Sequence, residues 1–191
     1  DLKEIKDFST TEQTALVDGL NAAFNGIYGF RKPVVAAING AAVAGGMFFA
    51  LSADYTVANE KSRFGLTEIK VGVNFPVAPY EIAKAELSPG SFRRVLLSGR
   101  LFKSDAALEM QIIDEIVADD QLLDRAVAVA KEYAGNPPMA YAAIKHQIRA
   151  EALANMQSAV DNKTDATRSG WFTDETMVAM DAILAATSAK K

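Results

Sequence analysis

Two adjacent glycines are the first residues of this sequence whose position could do chemistry. Gly45 and Gly46 follow a short apolar run and the turn signal Asn39-Gly40. If a helix begins at residues 46–47, the amide of Gly45 has no intrahelical partner and lies at the positive end of the helix dipole. An amide in that position can stabilise a developing oxyanion. The spacing fits a plain strand–turn–helix connection equally well, but it matches neither of the common glycine-rich phosphate-binding motifs.

Glu68 is the carboxylate that could act as a base. It lies in an irregular segment, residues 66–76, where glycines, a proline and apolar residues surround it. Loops that a rigid scaffold holds in place often carry catalytic residues. The alternative is a surface carboxylate paired with Lys70 or Arg63, because most glutamates in proteins are exposed.

The composition of the chain argues against several kinds of site and several classes of protein. The chain of 191 residues carries a formal net charge of −4, half of its residues are hydrophobic, and it contains no cysteine. Disulfides, zinc–thiolate sites and thiol nucleophiles are therefore excluded. We see no dense basic stripe and no apolar run of about 18 residues, so we expect neither nucleic-acid binding nor a membrane span. The sequence begins at Asp1 instead of a methionine, and we expect that an N-terminal portion precedes it.

The elements that would position Gly45 and Glu68 mix strands with helices early in the chain and become helical late. A capping box, Thr10-x-x-Gln13, predicts a helix. The buried stripe expected for this helix consists of Leu16, Leu20, Phe24 and Ile27. The β-branched run Pro33–Ile38 predicts a strand buried on both faces. Further strands are expected at 54–59, at 63–65 and within 112–117, and further helices at 47–52, 79–85, 91–98, 104–110, 120–134, from 139 onward and at 174–186.

This order of elements predicts an α/β core over residues 1–135 and a helical region over residues 136–191.

Three stretches in this order resemble the crotonase superfamily, which comprises the enoyl-CoA hydratases and isomerases. They are KPVVAAINGAAVAGG at 32–46, SADYTVANEKSRFGLTEIKVGV at 52–73 and LLSGRLFKSDAALEMQIIDEIV at 96–117. The opening DLKEI is similar to the end of another segment of the same family. The resemblance implies a spiral of ββα units and a helical C-terminal region used for trimer formation, so we expect a homotrimer or a dimer of trimers.

The resemblance also implies the substrate and the oxyanion hole. The substrate would be an acyl-CoA thioester, with coenzyme A entering as part of the substrate and with no separate cofactor or metal. Gly45 matches the residue whose amide holds the thioester oxygen, and the second amide would lie upstream of Asp1. We expect a cytoplasmic protein, with an organelle matrix as the alternative, acting on acyl-CoA and without nucleic-acid or membrane partners.

The chemistry within the family depends on the number of carboxylates. Hydratases use two, of which Glu68 matches one, while Phe48 occupies the position of the other. A single base in an apolar pocket suits the transfer of a proton between C2 and C4, as in the Δ3,Δ2-enoyl-CoA isomerases, which NGAAVAGGMFFAL and GLTEIKVGVNFP resemble. Burial near Phe48, Phe49 and Phe75 would raise the pKa of Glu68. The alternatives are a hydratase or another crotonase-type lyase, and an acyl-CoA-binding protein without activity.

We therefore expect Glu68 and Gly45 to be catalytic. The residues expected to bind substrate are Asp1, Leu2, Ala41, Val43, Ala44, Phe48, Thr67, Val71 and Phe75. We expect Phe49 to belong to the ordinary core, Glu81 to lie on a solvated helix face, and His146 to have a surface or interface position.

Overall fold

The computed structural model describes the backbone of residues 2–188 and the side chains of residues 3–186. Six strands of this range form two small sheets. In the first sheet, β1 (Val35–Ile38), β3 (Tyr55–Asn59) and β6 (Glu115–Val117) are parallel in the order β1-β3-β6. In the second sheet, β2 (Ala41–Val43) is parallel to β4 (Arg63–Gly65), which pairs in antiparallel fashion with β5 (Phe102–Lys103).

Successive strand pairs divide between the two sheets. In chain order, β1 and β2 are followed by α3 (Gly45–Leu51), and β3 and β4 are followed by α4 (Val77–Glu86). The first strands of these two units pair in one sheet and the second strands pair in the other. The chain thus climbs as a spiral of ββα units, as the resemblance implied. The α-helices of the described residues are α1 (Leu2–Ile5), α2 (Thr10–Tyr28), α3 (Gly45–Leu51), α4 (Val77–Glu86), α5 (Pro89–Ser98), α6 (Ser104–Glu109), α7 (Leu122–Ala134), α8 (Pro138–Asn162) and α9 (Asp174–Ser188).

Helix α2 begins where the sequence predicts it, but a different residue caps it. Ser9 is the N-cap, and its hydroxyl and amide form the reciprocal bonds of a capping box with Glu12. The predicted box was therefore wrong by one position, because Thr10 already lies inside the helix. The buried face is also rotated from the expected one, since it includes two polar residues that make tertiary hydrogen bonds. Its buried members are Gln13, Val17, Asn21, Phe24 and Tyr28.

Two expectations for the segment before α3 were wrong. β1 is not buried on both faces, since none of its four residues is fully buried and Ala37 is exposed. The strand β2 was not predicted, because its three small residues show no periodicity of their own. β2 forms because its backbone pairs with β4, with Ala42 opposite Phe64.

The core lies between the sheets and helices α2, α3, α4 and α8. Four of the seven residues of α3 are buried, and of these Met47 and Phe48 share a cluster with Phe24 and Phe64. Met156 of α8 belongs to the same cluster, so the C-terminal helices cover the core that carries the glycine turn. The helical C-terminal region is confirmed, whereas the boundary at residues 135/136 stays a prediction.

A buried charge cluster fastens α8 to the turn before β3. Asp54 accepts hydrogen bonds from Lys145 at 2.7 Å and from the backbone amide of Val34 at 2.8 Å, and it pairs with Arg149 at 3.1 Å. Arg149 also donates to the carbonyl oxygens of Tyr28 and Ala53. Every member has a partner, which is the condition for burying charge without a large desolvation penalty.

Within residues 2–188, no helix combines the length and the apolar character that crossing a membrane requires.

Candidate active site

The backbone of the turn into α3 is strained, and the first amide of the helix has no intrahelical acceptor. Ala44 has φ 51° and ψ −126°, in a region that residues with a side chain rarely adopt, and such strain concentrates at functional sites. Its amide bonds to the carbonyl of Gly65 at 2.9 Å, which fixes the end of β2 against β4. Gly45 is then the first helical residue, one position earlier than predicted, and its amide has no intrahelical acceptor.

Packing within the described residues does not explain the glycine at position 45. A Cβ atom built there would have the Cζ atom of Phe24 as its nearest neighbour, at 4.0 Å, which is an ordinary contact distance. The backbone angle of Gly45 does not demand a glycine either, because its φ is not positive. The glycine instead leaves its backbone accessible from the cavity described next.

An apolar cavity of about 170 Å³ lies beside this turn. It brings together Gly45 and Glu68, which are 23 positions apart in the chain. Six of the residues predicted from the sequence line it: Ala44, Gly45, Phe48, Glu68, Val71 and Phe75. Six others come from the two ends of the chain and were not expected there: Ile5, Leu20, Phe24, Trp171, Phe172 and Met180.

Glu68 is the one carboxylate among the described residues that line this cavity. It opens a short 3₁₀ helix, Glu68–Val71, directly after β4. Its Oε2 atom is buried and has no hydrogen-bond partner in the described part of the chain. Burial raises the pKa of Glu68 to about 7, although the backbone amides of Glu68 itself and of Thr67 partly oppose the rise. A carboxyl group with this pKa can both accept and return a proton near neutral pH.

The structure does not favour the surface interpretation of Glu68. The guanidinium of Arg63 donates instead to the carbonyl oxygens of Lys61 and Ser62. Lys70 is exposed and forms no ion pair with Glu68. Glu68 therefore faces apolar residues without a compensating cation.

Aromatic rings form the wall opposite the glycine turn. Phe48 is 2% exposed, and its ring lies 5.9 Å from that of Phe75 and 5.4 Å from that of Phe24, in edge-to-face arrangements. The ring at position 48 thus fills the space where the hydratases of the resemblance would carry a second carboxylate. Phe49 was expected in the core, and this was wrong: it is 48% exposed, although its ring lies 5.1 Å from that of buried Phe24.

The segment before α9 closes the cavity over the Glu68 loop. The indole of Trp171 donates to the carbonyl oxygen of Asn74 at 2.8 Å, and its ring stacks on Phe172. The amide of Phe172 in turn donates to the side chain of Gln13 on α2. Two adjacent aromatic residues in an otherwise polar stretch were the available signal for this contact, but the sequence does not say which surface they cover.

The remaining predicted residues whose side chains the structure describes do not line this cavity. Ala41 and Val43 lie on β2, and Thr67 precedes Glu68, so their roles in substrate binding stay predictions. Asp1 and the side chain of Leu2 lie outside the described residues. Glu81 is half-buried and bonded to Asn155, away from the cavity, so the expectation of a solvated helix face was wrong. His146 is exposed on α8, and the described residues contain no cluster of three or more acidic or histidine side chains that could hold a metal ion.

Comparison with known proteins shows the family of the chain. The family model described as enoyl-CoA hydratase/isomerase matches residues 1–182. The chain belongs to this family. The probable enoyl-CoA hydratase EchA17 of Mycobacterium tuberculosis is 34% identical over 149 residues, which cover 76% of this chain and 56% of that protein. The chain spans about half the length of the curated relatives it matches.

Solved structures of the enoyl-CoA hydratase/isomerase family share the fold. The enoyl-CoA hydratase EchA3 of Mycobacterium ulcerans matches with a TM-score of 0.79 at 30% identity, over 85% of this chain and 71% of that one. Human mitochondrial Δ3,Δ2-enoyl-CoA isomerase matches with a TM-score of 0.92 over 100% of this chain and 75% of that one. At 23% identity the second match shows the fold alone. The predicted crotonase resemblance and the α/β fold with a helical C-terminal region are confirmed.

Proposed function

We propose that this protein moves the double bond of an acyl-CoA thioester from the Δ3 to the Δ2 position, with Glu68 as the single proton carrier. The observation that carries the proposal is the buried, unpartnered Oε2 atom of Glu68 in an apolar cavity shared with Gly45. A buried polar atom without a partner costs free energy, which is tolerable where the atom has a function.

The reaction needs one base and one acid in succession. The Glu68 carboxylate removes a proton from C2 of the 3-enoyl thioester, and the electrons of that C–H bond spread over the thioester carbonyl as a dienolate. The protonated Glu68 then delivers the proton to C4. The C2–C3 bond becomes double, the C3–C4 bond becomes single, and the carbonyl is restored. No atom is gained or lost, so the reaction requires no water and no redox cofactor.

In the proposal, the Gly45 amide stabilises the dienolate oxygen. The amide lies at the N-terminus of α3, where the helix dipole favours negative charge. A second amide from the segment preceding Asp1 would complete the oxyanion hole, as the resemblance implies. Phe48, Phe75 and Trp171 would exclude water, which strengthens the electrostatic interaction and protects the intermediate.

The size of the cavity is consistent with an acyl group rather than a whole acyl-CoA. Its volume of about 170 Å³ is smaller than the roughly 300–1,000 Å³ of sites that enclose a drug-sized ligand. We therefore place the acyl chain inside and the coenzyme A moiety outside, against the surface that leads to the glycine turn.

A hydratase is the second candidate, because relatives such as EchA17 carry the name of probable enoyl-CoA hydratases. Water addition requires a water molecule held opposite the double bond. Phe48 occupies the place where a second carboxylate would hold that water, and this counts against efficient hydration. An acyl-CoA-binding protein without catalysis is the third candidate, and it predicts no exchange of C2 protons with deuterated water.

Assays of the purified protein with 3-enoyl-CoA and 2-enoyl-CoA substrates distinguish the three candidates. We expect conversion of the 3-enoyl substrate, and we expect E68Q to lose it by about 10²–10⁴-fold, the usual contribution of a general base. E81Q is the matched control, since Glu81 lies outside the cavity. Full activity of E68Q would rule out the proposed base. Consumption of 2-enoyl-CoA, seen as loss of its conjugated absorbance, that is faster than its formation from 3-enoyl-CoA would favour the hydratase.

A homotrimer is a further part of the proposal and rests on the resemblance alone. Sedimentation equilibrium of the full-length protein measures its mass in solution. A monomer at micromolar concentration would contradict it.

A further inference from the structure

We propose that Thr176 is a positioning residue, which holds the loop carrying Glu68 so that the carboxylate reaches the substrate. This inference rests on the proposed function of Glu68. Thr176 lies in the first turn of α9 and is fully buried, and the hydrogen bonds of its side chain join it to Thr173 and Gly72 rather than to Glu68. Its effect on catalysis would therefore pass through the backbone of the loop.

The contact between Thr176 and the loop is a single directed hydrogen bond. The Thr176 hydroxyl donates to the carbonyl oxygen of Gly72 at 2.8 Å, across 104 positions of the chain. The hydroxyl oxygen of Thr176 itself accepts a hydrogen bond from the amide of Thr173 at 3.1 Å. The Thr176 hydroxyl thus both donates and accepts a hydrogen bond. Because the accepted bond comes from Thr173, the start of α9 fixes the orientation of the hydroxyl.

Gly72 ends the 3₁₀ helix that Glu68 begins. Its φ of 68° is in the left-handed region, and a Cβ atom there would lie 3.3 Å from the Cα atom of Thr176. The Glu68 carbonyl accepts hydrogen bonds from the amides of Gly72 and Val73, the second at 3.2 Å. The backbone of Glu68 is therefore linked through Gly72 to Thr176 by consecutive hydrogen bonds.

No side chain orients the carboxylate of Glu68 within the described residues. Its Oε2 atom has no partner, so the position of the carboxylate depends on where the loop backbone places it. Proton transfer needs a heavy-atom distance of about 2.6–3.2 Å, and a misplacement of about 1 Å can cost about 100-fold in rate. A loop end that lost its anchor would therefore lower catalysis before it changed substrate binding.

A purely structural role for Thr176 as part of the α9 cap makes a different prediction. Thr173 and Thr176 exchange hydrogen bonds at the start of α9, so a variant could loosen the helix without affecting Glu68. Thr14 offers a control for such loosening. Its hydroxyl donates to the carbonyl oxygen of Arg168 at 2.8 Å, which fastens the same C-terminal segment to α2 but makes no contact with the Glu68 loop.

The test compares T176V, T176S and T14V in the full-length protein, by kcat and KM with a 3-enoyl-CoA and by thermal unfolding. We expect T176V to lower kcat by about 10- to 100-fold with KM changed by less than about threefold. T176S retains the hydroxyl, and we expect its kcat within about threefold of wild type. T14V should lower the melting temperature while kcat stays within about twofold.

The pH profile provides a second readout. A loosened loop exposes Glu68 to water, so the acid limb of kcat/KM in T176V should move from about pH 7 toward lower pH, and the limb in T14V should not move. Equal losses of kcat in T176V and T14V, or a T176S variant as impaired as T176V, would overturn the inference. If T176V does not fold, T176A replaces it, because it also lacks the hydroxyl and adds no bulk against Gly72.

The experiments can defeat the proposal for Glu68 and the proposal for Thr176 separately. An active E68Q variant defeats the proposed function itself. An inactive E68Q variant together with an unimpaired T176V variant defeats only the role of Thr176.

Discussion

The Asp165 carboxylate caps helix α4 at Val77 from a distant part of the chain. Its Oδ2 atom accepts a hydrogen bond from the Val77 amide at 2.9 Å. Pro76 precedes the helix and has no side chain that could cap it. Asn21 binds the same carboxylate and accepts a hydrogen bond from the next amide, that of Ala78, at 3.0 Å. The C-terminal end of the Glu68 loop is thus fixed by α2 and by the segment after α8.

Removing this cap should destabilise the protein. D165A leaves the Val77 amide and the Nδ2 group of Asn21 without this acceptor, which costs about 1–3 kcal/mol of unfolding free energy. Denaturant unfolding measures the loss. D161A is the control, because exposed Asp161 makes one hydrogen bond with Gln157 on the same helix, and its loss should stay within about 0.5 kcal/mol. Equal losses for both variants would contradict the capping role.

The same carboxylate should make stability depend on acid. Burial alone would raise the pKa of Asp165, but hydrogen bonds from Thr167, Val77 and Asn21 outweigh it and lower the pKa below its ordinary value of 3.8. The carboxylate therefore contributes stability above the unfolded pKa, and this contribution is lost as pH falls through the folded pKa. Unfolding free energies measured below about pH 4 should fall less steeply in D165N than in wild type.

Glu68 should have the opposite effect on stability. Its pKa rises from the ordinary 4.5 to about 7 on folding, so the folded state binds more protons between these values and stability falls as pH rises through them. At about pH 8 the buried charge costs up to about 3 kcal/mol, which E68Q relieves. We expect E68Q to be more stable than wild type at about pH 8, with little difference below about pH 4.5, whereas E81Q shows no such gain.

Activity should follow the ionisation of the same group. The base must be deprotonated to remove the C2 proton, so kcat/KM for a 3-enoyl-CoA should increase with pH and level off above about pH 7. Initial rates across a pH series measure this at low substrate concentration. An activity that is constant from about pH 5 to about pH 9 would contradict a free-enzyme pKa near 7 for the base.

Two adjacent phenylalanines offer a test of the cavity wall. Phe48 is 2% exposed and Phe49 is 48% exposed. F48A removes a ring from the packed interior and should cost about 3–5 kcal/mol, whereas F49A should cost less than about 1.5 kcal/mol. Thermal or denaturant unfolding distinguishes the two. Similar losses would mean that the ring at position 48 does not belong to the core in solution.

Features that depend on residue type and local sequence pattern were predicted better than features that depend on contacts between distant segments. The residues alone left a plain strand–turn–helix connection at Gly45 and a surface position for Glu68 open, and the family resemblance was needed to expect both in one pocket. The strand at Arg63–Gly65 was predicted with the observed bounds. β2 was missed, because three small residues form a strand only when β4 is beside them. Trp171 and Met180 were missed as wall residues, because contacts between distant segments leave no local signal.

Residues near both ends of the described chain meet in the pocket, although none between Pro79 and Trp171 lines it. Ile5 of α1 and Met180 of α9 both face it, and Lys6 forms an ion pair with Asp181, a separation of 175 positions. Contacts of such high contact order form slowly, because the loop between them must close first. During refolding, helical circular dichroism should therefore return before turnover does. The same arrangement predicts that a short deletion within α1 or α9 would open this cavity to solvent while the main core stays folded.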